Sequence, residues 1–233
     1  MNEEKNNERT VVIPGEVLKK GMEFLPGYGT HRVDEEIRSS LLGLLDIKGS
    51  VVKVIPLKGA YKPKRGDKVI GEVVEVSHNS WSIDIKAPST ASLNIGDATR
   101  SYIESGADLS RIYRVGDYVY AEVISVGKDS WTKLQTKDRM FKRLDVGMII
   151  RINPVKVPRV IGKRGSMVKL LKEETGCSLI IGQNGLVWIK GDKHEDELLA
   201  VKAIKYVEEK AHLSGLTEAM TKKIGEWKKN GKK

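Results

Sequence analysis

The spacing of hydrophobic positions along this chain changes twice. Over roughly the first sixty residues the apolar positions come in short extended runs cut by turn signals. Val11-Val12-Ile13 stops at Pro14-Gly15, Gly27-Tyr28-Gly29 marks another turn, and Val51-Val52-Lys53-Val54-Ile55 ends at Pro56. No helical period is visible, so this part reads as a small β-rich module. A unit of this size buries little apolar surface by itself. It is expected to lean on a neighbouring domain or on a partner subunit.

A period of two follows, and with it an internal echo. Gly66-Asp67, Val69, Glu72-Val73, Val76 and Ser80-Trp81 recur fifty positions later as Gly116-Asp117, Val119, Glu122-Val123, Val126 and Ser130-Trp131. Each copy predicts a strand, a polar turn (Ser77-His78-Asn79, then Gly127-Lys128-Asp129) and a second strand. Gly71 and Ala121, each between two valines at period two, suit a tightly curved interior. With a strand near Ala91-Ser92-Leu93 the count reaches five, an OB-type barrel, which usually binds oligonucleotides or oligosaccharides. The plainer reading is a repeated hairpin with no ligand. The matched positions of Trp81 and Trp131 read as packing sites in preference to stacking platforms for bases, the alternative that stays open.

The last third alternates between the two periods. Met148 to Val155 predicts a strand, and a loop from Gly162 to Gly165 opens a helix with Met167, Leu170 and Leu171 on one face. Thr175-Gly176 stops it, with glycine in the usual terminal position. Ser178–Ile181 and Leu186–Ile189 are strands around Asn184-Gly185, a hairpin signal. Asp192-Lys193-His194-Glu195 resembles a capping box. The helix after it carries Ala200, Ala203, Ile204, Val207 and Ala211 for core packing. The order is β-α-α-β-β-α. Met220, Ile224 and Trp227 form a stripe of one more helix, before a basic tail with Lys228, Lys229, Lys232 and Lys233.

The loop carries the chemistry. In Val160-Ile161-Gly162-Lys163-Arg164-Gly165-Ser166, two glycines let backbone approach a ligand closely, and two cations sit between them. The helix start that follows offers unpaired N–H groups and a positive dipole end. Such a loop suits the sugar-phosphate backbone of single-stranded nucleic acid; the plainer alternative is a tight turn with incidental cations. Net charge agrees. The chain carries +10 in 233 residues, of which +8 lies from Arg143 onward and +2 before it. A solvated lysine-rich surface would give the same balance.

Other classes find little support. Cys177 is the single cysteine, so neither an internal disulfide nor a cysteine-based metal site can form. His31, His78, His194 and His212 are scattered without a nucleophile, and Glu35-Glu36 and Glu173-Glu174 read as exposed pairs. No phosphate-binding Walker loop is present. No enzyme activity, cofactor or metal is expected. Met1 to Thr10 is polar, and no apolar run approaches the ~20 residues of a membrane span. A cytoplasmic protein is expected.

Three resemblances follow from these motifs. The Gly-Asp-x-Val strand openings resemble the S1 domain, an RNA-binding OB fold. The stretch Ser82–Thr90 departs from it by holding no aromatic residue. Base stacking contributes about 1–3 kcal/mol per base, so this barrel is expected to bind weakly and mainly through charge. Val-Ile-Gly-x-x-Gly within β-α-α-β-β-α is similar to a type I KH domain, whose loop clamps about four nucleotides. The succession of β-module (1–63), S1 domain (64–142) and KH domain with basic tail (143–233) resembles the RNA-binding cap subunit of the archaeal exosome. Val12-Ile13-Pro14-Gly15-Glu16 resembles that family's Pro-Gly-Glu motif, and Gly182-Gln183-Asn184-Gly185 with Trp188 its Gly-x-Asn-Gly signature. The family's other cap protein carries a zinc ribbon, which one cysteine cannot build.

The fold implied is multidomain and mainly β with an α+β part. The resemblance further implies a non-catalytic role. Three copies, or a mixed trimer with the other cap protein, would sit on a six-membered ring of RNase PH-like subunits. The first module would grip the ring, and the KH domains would catch single-stranded 3′ ends, adenine-rich ones by preference, for phosphorolysis by the ring. The RNA-binding residues would be Gly162, Lys163, Arg164, Gly165 and Ser166, flanked by Arg159 and Lys169. A free-standing S1/KH regulator of translation or RNA stability uses the same modules and stays open at this point.

Overall fold

The computed structural model describes residues 10–100, 108–127, 131–211, 213 and 215–230. Its chain divides into two compact units, 1–59 and 60–233. Lys128, Asp129, Ser130, His212, Lys232, Lys233 and residues 1–9 lie outside the described residues.

The first unit holds seven short strands: β1 (Val11–Val12), β2 (Val17–Lys20), β3 (Leu25–Pro26), β4 (Thr30–Val33), β5 (Glu36–Ser39), β6 (Gly43–Lys48) and β7 (Val51–Pro56). They form two sheets, β1-β6-β7-β3 and β2-β5-β4. The Pro-Gly-Glu turn between β1 and β2 has a local physical reason. The Glu16 carboxylate accepts from the Ile13 N–H at 2.9 Å, and the Gly15 N–H, at φ +86°, donates to the Ser39 carbonyl at 2.7 Å. Val12, Ile37, Val52 and Val54 are its buried apolar side chains among the described residues. Val11, Ile13, Met22, Leu25, Tyr28 and Leu42 are at least half exposed. The small core is what the sequence predicted for a module of this size.

The second unit begins with a closed barrel of β8 (Lys68–Val76), β9 (Ser80–Asp84), β10 (Ala91–Asn94), β11 (Tyr118–Val126) and β12 (Thr132–Gln135). A short helix, α1 (Ile95–Ala98), follows β10. The order β12-β10-β9-β8-β11 closes through a β11–β12 pairing, and β13 (Lys142–Leu144) adds to the outer side of β11. Val69, Val73, Val119, Ala121 and Val123 all point into the core. Gly71 must be small, because a Cβ there would lie 2.3 Å from Ile83 Cγ2.

The internal echo is real in the backbone. The Gly66 N–H donates to the Val123 carbonyl, and the Gly116 N–H to the Val73 carbonyl, each at 2.8 Å. Both glycines have φ near +90°. The echo breaks at the tryptophans. In the first hairpin Val76 pairs with Trp81, but in the second Val126 pairs with Thr132. The second connection is one residue longer, and a one-residue slip sends a side chain to the opposite face of a strand. Trp81 is therefore fully buried, edge-on to Tyr113, with its indole N–H donating to the Tyr113 carbonyl at 3.1 Å. Thr132 takes the matching inward place, and Trp131 is 51% exposed. The packing role expected for Trp131 is thus corrected.

The C-terminal part contains β14 (Met148–Arg151), α2 (Val157–Ile161), α3 (Ser166–Thr175), β15 (Ser178–Ile181), β16 (Leu186–Lys190), α4 (His194–Glu209) and α5 (Leu216–Asn230). The first strand is shorter than the predicted Met148–Val155. Asn153 caps a turn at Pro154–Lys156 by accepting from the Val155 N–H at 3.1 Å, which ends the extended run. No side chain caps α4 in capping-box fashion; instead Glu197 reaches back to the Gly191 N–H at 3.1 Å. Gly176 closes α3 in the left-handed conformation, as expected. Ala200, Ala203, Ile204, Val207, Met220 and Ile224 are buried in one core with Met167, Leu171 and Cys177. Burial pushes the Cys177 thiol pKa up.

The sheet order is β14-β16-β15, and both its faces are covered. Leu179, Val187 and Ile189 pack on the helices, while Leu186 and Trp188 pack with Ile70 and Leu144 of the barrel. The hairpin Gly182–Gly185 fixes that second contact. The buried Asn184 amide donates to the carbonyls of Ile70 at 2.6 Å and Ile85 at 2.9 Å, and its oxygen accepts from the Ile70 N–H at 3.3 Å. The Gln183 N–H donates to the Lys68 carbonyl at 2.8 Å, and the Gln183 side chain accepts from the Lys68 N–H. A Cβ on Gly182 would lie 2.8 Å from the Ile70 nitrogen. One on Gly185, at φ +86°, would lie 2.4 Å from the Ile152 carbonyl oxygen. Each residue of this motif except Gln183 is thus set by close approach or by burial.

Asn184→Ala is expected to strand two buried carbonyls and an N–H, at a cost of about 2–3 kcal/mol. Denaturant unfolding of the full chain measures it. An unchanged midpoint would show that these bonds contribute nothing to the joint.

Candidate nucleic-acid interface

The proposed clamp lies between α2 and α3. Val160 and Met167 are buried on either side of it, so the core holds the two ends of the loop and its middle projects. Gly162 adopts φ 78°, ψ 170°, a region open essentially to glycine alone. A Cβ there would lie 2.6 Å from the Met167 nitrogen and 2.8 Å from its Cβ. Gly165 is different: φ 79°, ψ 12° favours glycine, but the nearest neighbour to an added Cβ is 3.8 Å away. Arg164 also sits in the left-handed region, at φ 54°, ψ 28°. Strain of this kind costs about 1–3 kcal/mol and persists where the surroundings impose it. Here the closure of α2 onto α3 imposes it, through the Gly165 N–H to Gly162 carbonyl bond at 3.2 Å.

The result is a projecting cationic bend. Arg159, Lys163, Arg164, Ser166 and Lys169 are exposed, and Gly162 and Gly165 are partly so. Among the described residues no carboxylate pairs with Arg159, Lys163 or Arg164. Lys169 has only an exposed partner, Glu173, at 3.8 Å, and such surface pairs contribute little. No acidic residue occupies the first turn of α3, whose ten residues start directly at the loop. Formal charge and helix dipole therefore add at one place. The structure brings all seven predicted residues to the loop and its flanking helices.

The groups weighed for catalysis stay apart. His31 hydrogen-bonds Ser40 Oγ at 3.1 Å, and His194 meets Glu197 at 3.3 Å. Glu36 is held by Lys20 and Arg38, whose hydrogen bonds pull its pKa below the usual carboxylate range. Glu174 pairs with Lys228 at 3.2 Å. Among the described residues no cluster of three His, Cys, Asp or Glu side chains gathers as metal ligands would. No helix there is long and apolar enough to cross a membrane.

Sequence reasoning missed two features beside the clamp. One is the reach of Asn184 across to the barrel, since a hairpin signal says nothing about distant partners. The other is the outward turn of Trp131, which the extra residue in its connection produces. An unbroken apolar run at Leu186–Ile189 was a usable signal for the first, because a strand covered on both faces reads that way.

Comparison with known proteins agrees with this arrangement. Residues 9–58 match the Exosome RNA binding protein RRP4 N-terminal domain, residues 60–125 the RRP4 S1 domain, and residues 147–195 a KH domain. Exosome complex component Rrp4 of Thermococcus kodakarensis is 43% identical over 213 residues, covering 90% of this chain and 82% of the relative. That of Methanothermus fervidus is 41% identical, covering 91% and 93%. A solved structure described as an exosome complex RNA-binding protein superimposes with a TM-score of 0.66 at 35% identity, over 73% of this chain and 98% of its own. With three consecutive domain matches and relatives above 40% identity along nine-tenths of its length, the chain belongs to the Rrp4 family of exosome components.

Proposed function

We propose that this chain captures single-stranded 3′ ends of RNA, favouring adenine-rich tails, and delivers them to a phosphorolytic ring of RNase PH-like subunits in the cytoplasm. The chain itself is a non-catalytic RNA-binding subunit, as its family is. The observation that carries the reading is the glycine-bracketed bend at Lys163 and Arg164, with no neutralising carboxylate among the described residues. Gly162, Gly165 and Ser166 would take the phosphodiester strand against backbone, and Lys163, Arg164, Arg159 and Lys169 would supply charge. Three copies, alone or mixed with the other cap protein, would surround the ring's entry.

The first unit supports the ring-binding part of the proposal. Its apolar residues are exposed well beyond what its small core explains. A cleft of about 300 Å³ between Leu41, Leu42, Pro56, Leu57 and Lys58 adds a concave apolar site. Exposed apolar surface of this extent marks a partner face, and this favours the ring subunit over a free-standing regulator.

Three outcomes test these statements. Replacing Lys163 and Arg164 together by Asp should weaken binding of single-stranded RNA by roughly one to two orders of magnitude at low salt. It should also flatten the salt dependence by about 0.7 log units for each phosphate no longer neutralised. Affinity measured against salt concentration decides it; equal slopes would exclude the clamp. Gly162→Ala should cost about 2–3 kcal/mol of stability and most of the RNA affinity, whereas Gly165→Ala should cost about 1 kcal/mol. Thermal unfolding and RNA titration of both variants check that asymmetry. Removing residues 1–59 should abolish co-purification with the ring while RNA binding by the remainder persists. Retained ring association would assign that role to another part of the chain.

A further inference from the structure

We propose that the indole of Trp131 is a stacking platform for a base of single-stranded RNA on the outer face of the barrel. The inference rests on the RNA-binding reading above and adds a second point of attachment to it. The one-residue register slip is its starting point. Trp81, the matched residue of the first hairpin, is fully buried, while Trp131 is 51% exposed. Among the described residues of 60–233 it is the exposed aromatic; the other strongly exposed apolar side chains there are Val, Met and Leu. A single exposed aliphatic side chain is ordinary. An exposed indole at a ligand-binding location is a different case.

The location is specific. Trp131 is the last residue of the connection between the fourth and fifth barrel strands, and its carbonyl accepts from the Gly127 N–H at 2.7 Å. OB folds take oligonucleotides on the face of their second and third strands and at this connection. The pleat puts Trp131 on the same side as Lys133, which pairs in register with Ser92 of β10, itself opposite Ser82 of β9. These neighbours are hydroxyl groups and one cation. Lys133 and Lys137 share the Asp97 carboxylate at 2.9 and 3.6 Å, and Ser82 donates to the Glu75 carboxylate at 3.3 Å, two cations against two anions. The face is thus close to locally neutral, so it offers little to a phosphate and a π-surface to a base. Every base has a π-face, so such a platform tolerates any sequence. It supplies the aromatic that Ser82–Thr90 lacks, from the fifth strand rather than the second or third.

The experiment titrates the full chain with a single-stranded oligoadenylate. Wild type is compared with Trp131→Ala, Trp131→Phe and the Lys163→Asp/Arg164→Asp variant. Trp131→Ala is expected to lose roughly 5- to 150-fold in affinity with its salt slope unchanged, because stacking releases no counterions. Trp131→Phe should keep most of the affinity. Trp81 and Trp188 are buried and Trp227 is half-buried against Tyr206, so RNA should quench wild-type tryptophan emission and most of that quench should be lost in Trp131→Phe. If wild type and Trp131→Ala bind alike, or the quench is undiminished in Trp131→Phe, the platform is excluded while the clamp stands. If wild type binds no RNA, the RNA-binding reading falls and this inference with it.

Discussion

One side-chain amide holds the RNA-binding half of this molecule together. Asn184 fills three hydrogen-bonding positions on the barrel backbone from a place where water does not reach. Without it, the carbonyls of Ile70 and Ile85 would be buried and unpaired, an arrangement that folded proteins avoid. The apolar contact of Leu186 and Trp188 with Ile70 and Leu144 is non-directional by nature. The amide supplies the direction. Barrel and KH sheet therefore form one body from residue 60 onward, and the cationic loop projects from the helical side of that body.

Binding functions are divided by chemistry. The loop at Gly162–Gly165 concentrates cations, a helix start and close backbone approach, all suited to phosphates. The outer barrel face is close to neutral and offers hydroxyl groups and an indole. The first unit has few buried side chains and many exposed apolar ones among the described residues. Among the described residues, none of the three surfaces gathers three His, Cys, Asp or Glu side chains as metal ligands would. The left-handed backbone of the one non-glycine residue in the bend that adopts it, Arg164, sits at the tip of the loop.

Much of this was legible in the chain, and unevenly so. The KH frame was clear because its signals are local: Gly176 ends α3, Asn184-Gly185 turns the hairpin, and Ala200, Ala203, Ile204 and Val207 repeat at helical spacing. The loop residues were legible for the same reason, as two glycines around two cations form a compact pattern. The first unit was read as β-rich, but only three of its features were marked. Strands as short as Leu25–Pro26 have no period to detect. The capping box at Asp192 failed because the helix starts at His194, which makes Lys193 rather than Asp192 its N-cap. Trp131 misled because a repeat aligned by identity hides a slip in pairing; only the ladder, Val126 to Thr132, reveals it. The partners of Asn184 and the pairing of Val126 escaped because each is a relation between residues distant in the chain or across a ladder.

The paired Gly-Asp turns have a consequence for how the barrel forms. Gly66 closes onto Val123 and Gly116 onto Val73, so each half fastens the other's entrance and neither fastens its own. A half-barrel would leave its own opening loose, and a nascent chain gains nothing lasting until the second copy arrives. Both clasps therefore require both hairpins to be in place. The rims are exempt from this coupling: the two hairpins differ in register at Trp131 while both clasps keep the same bond.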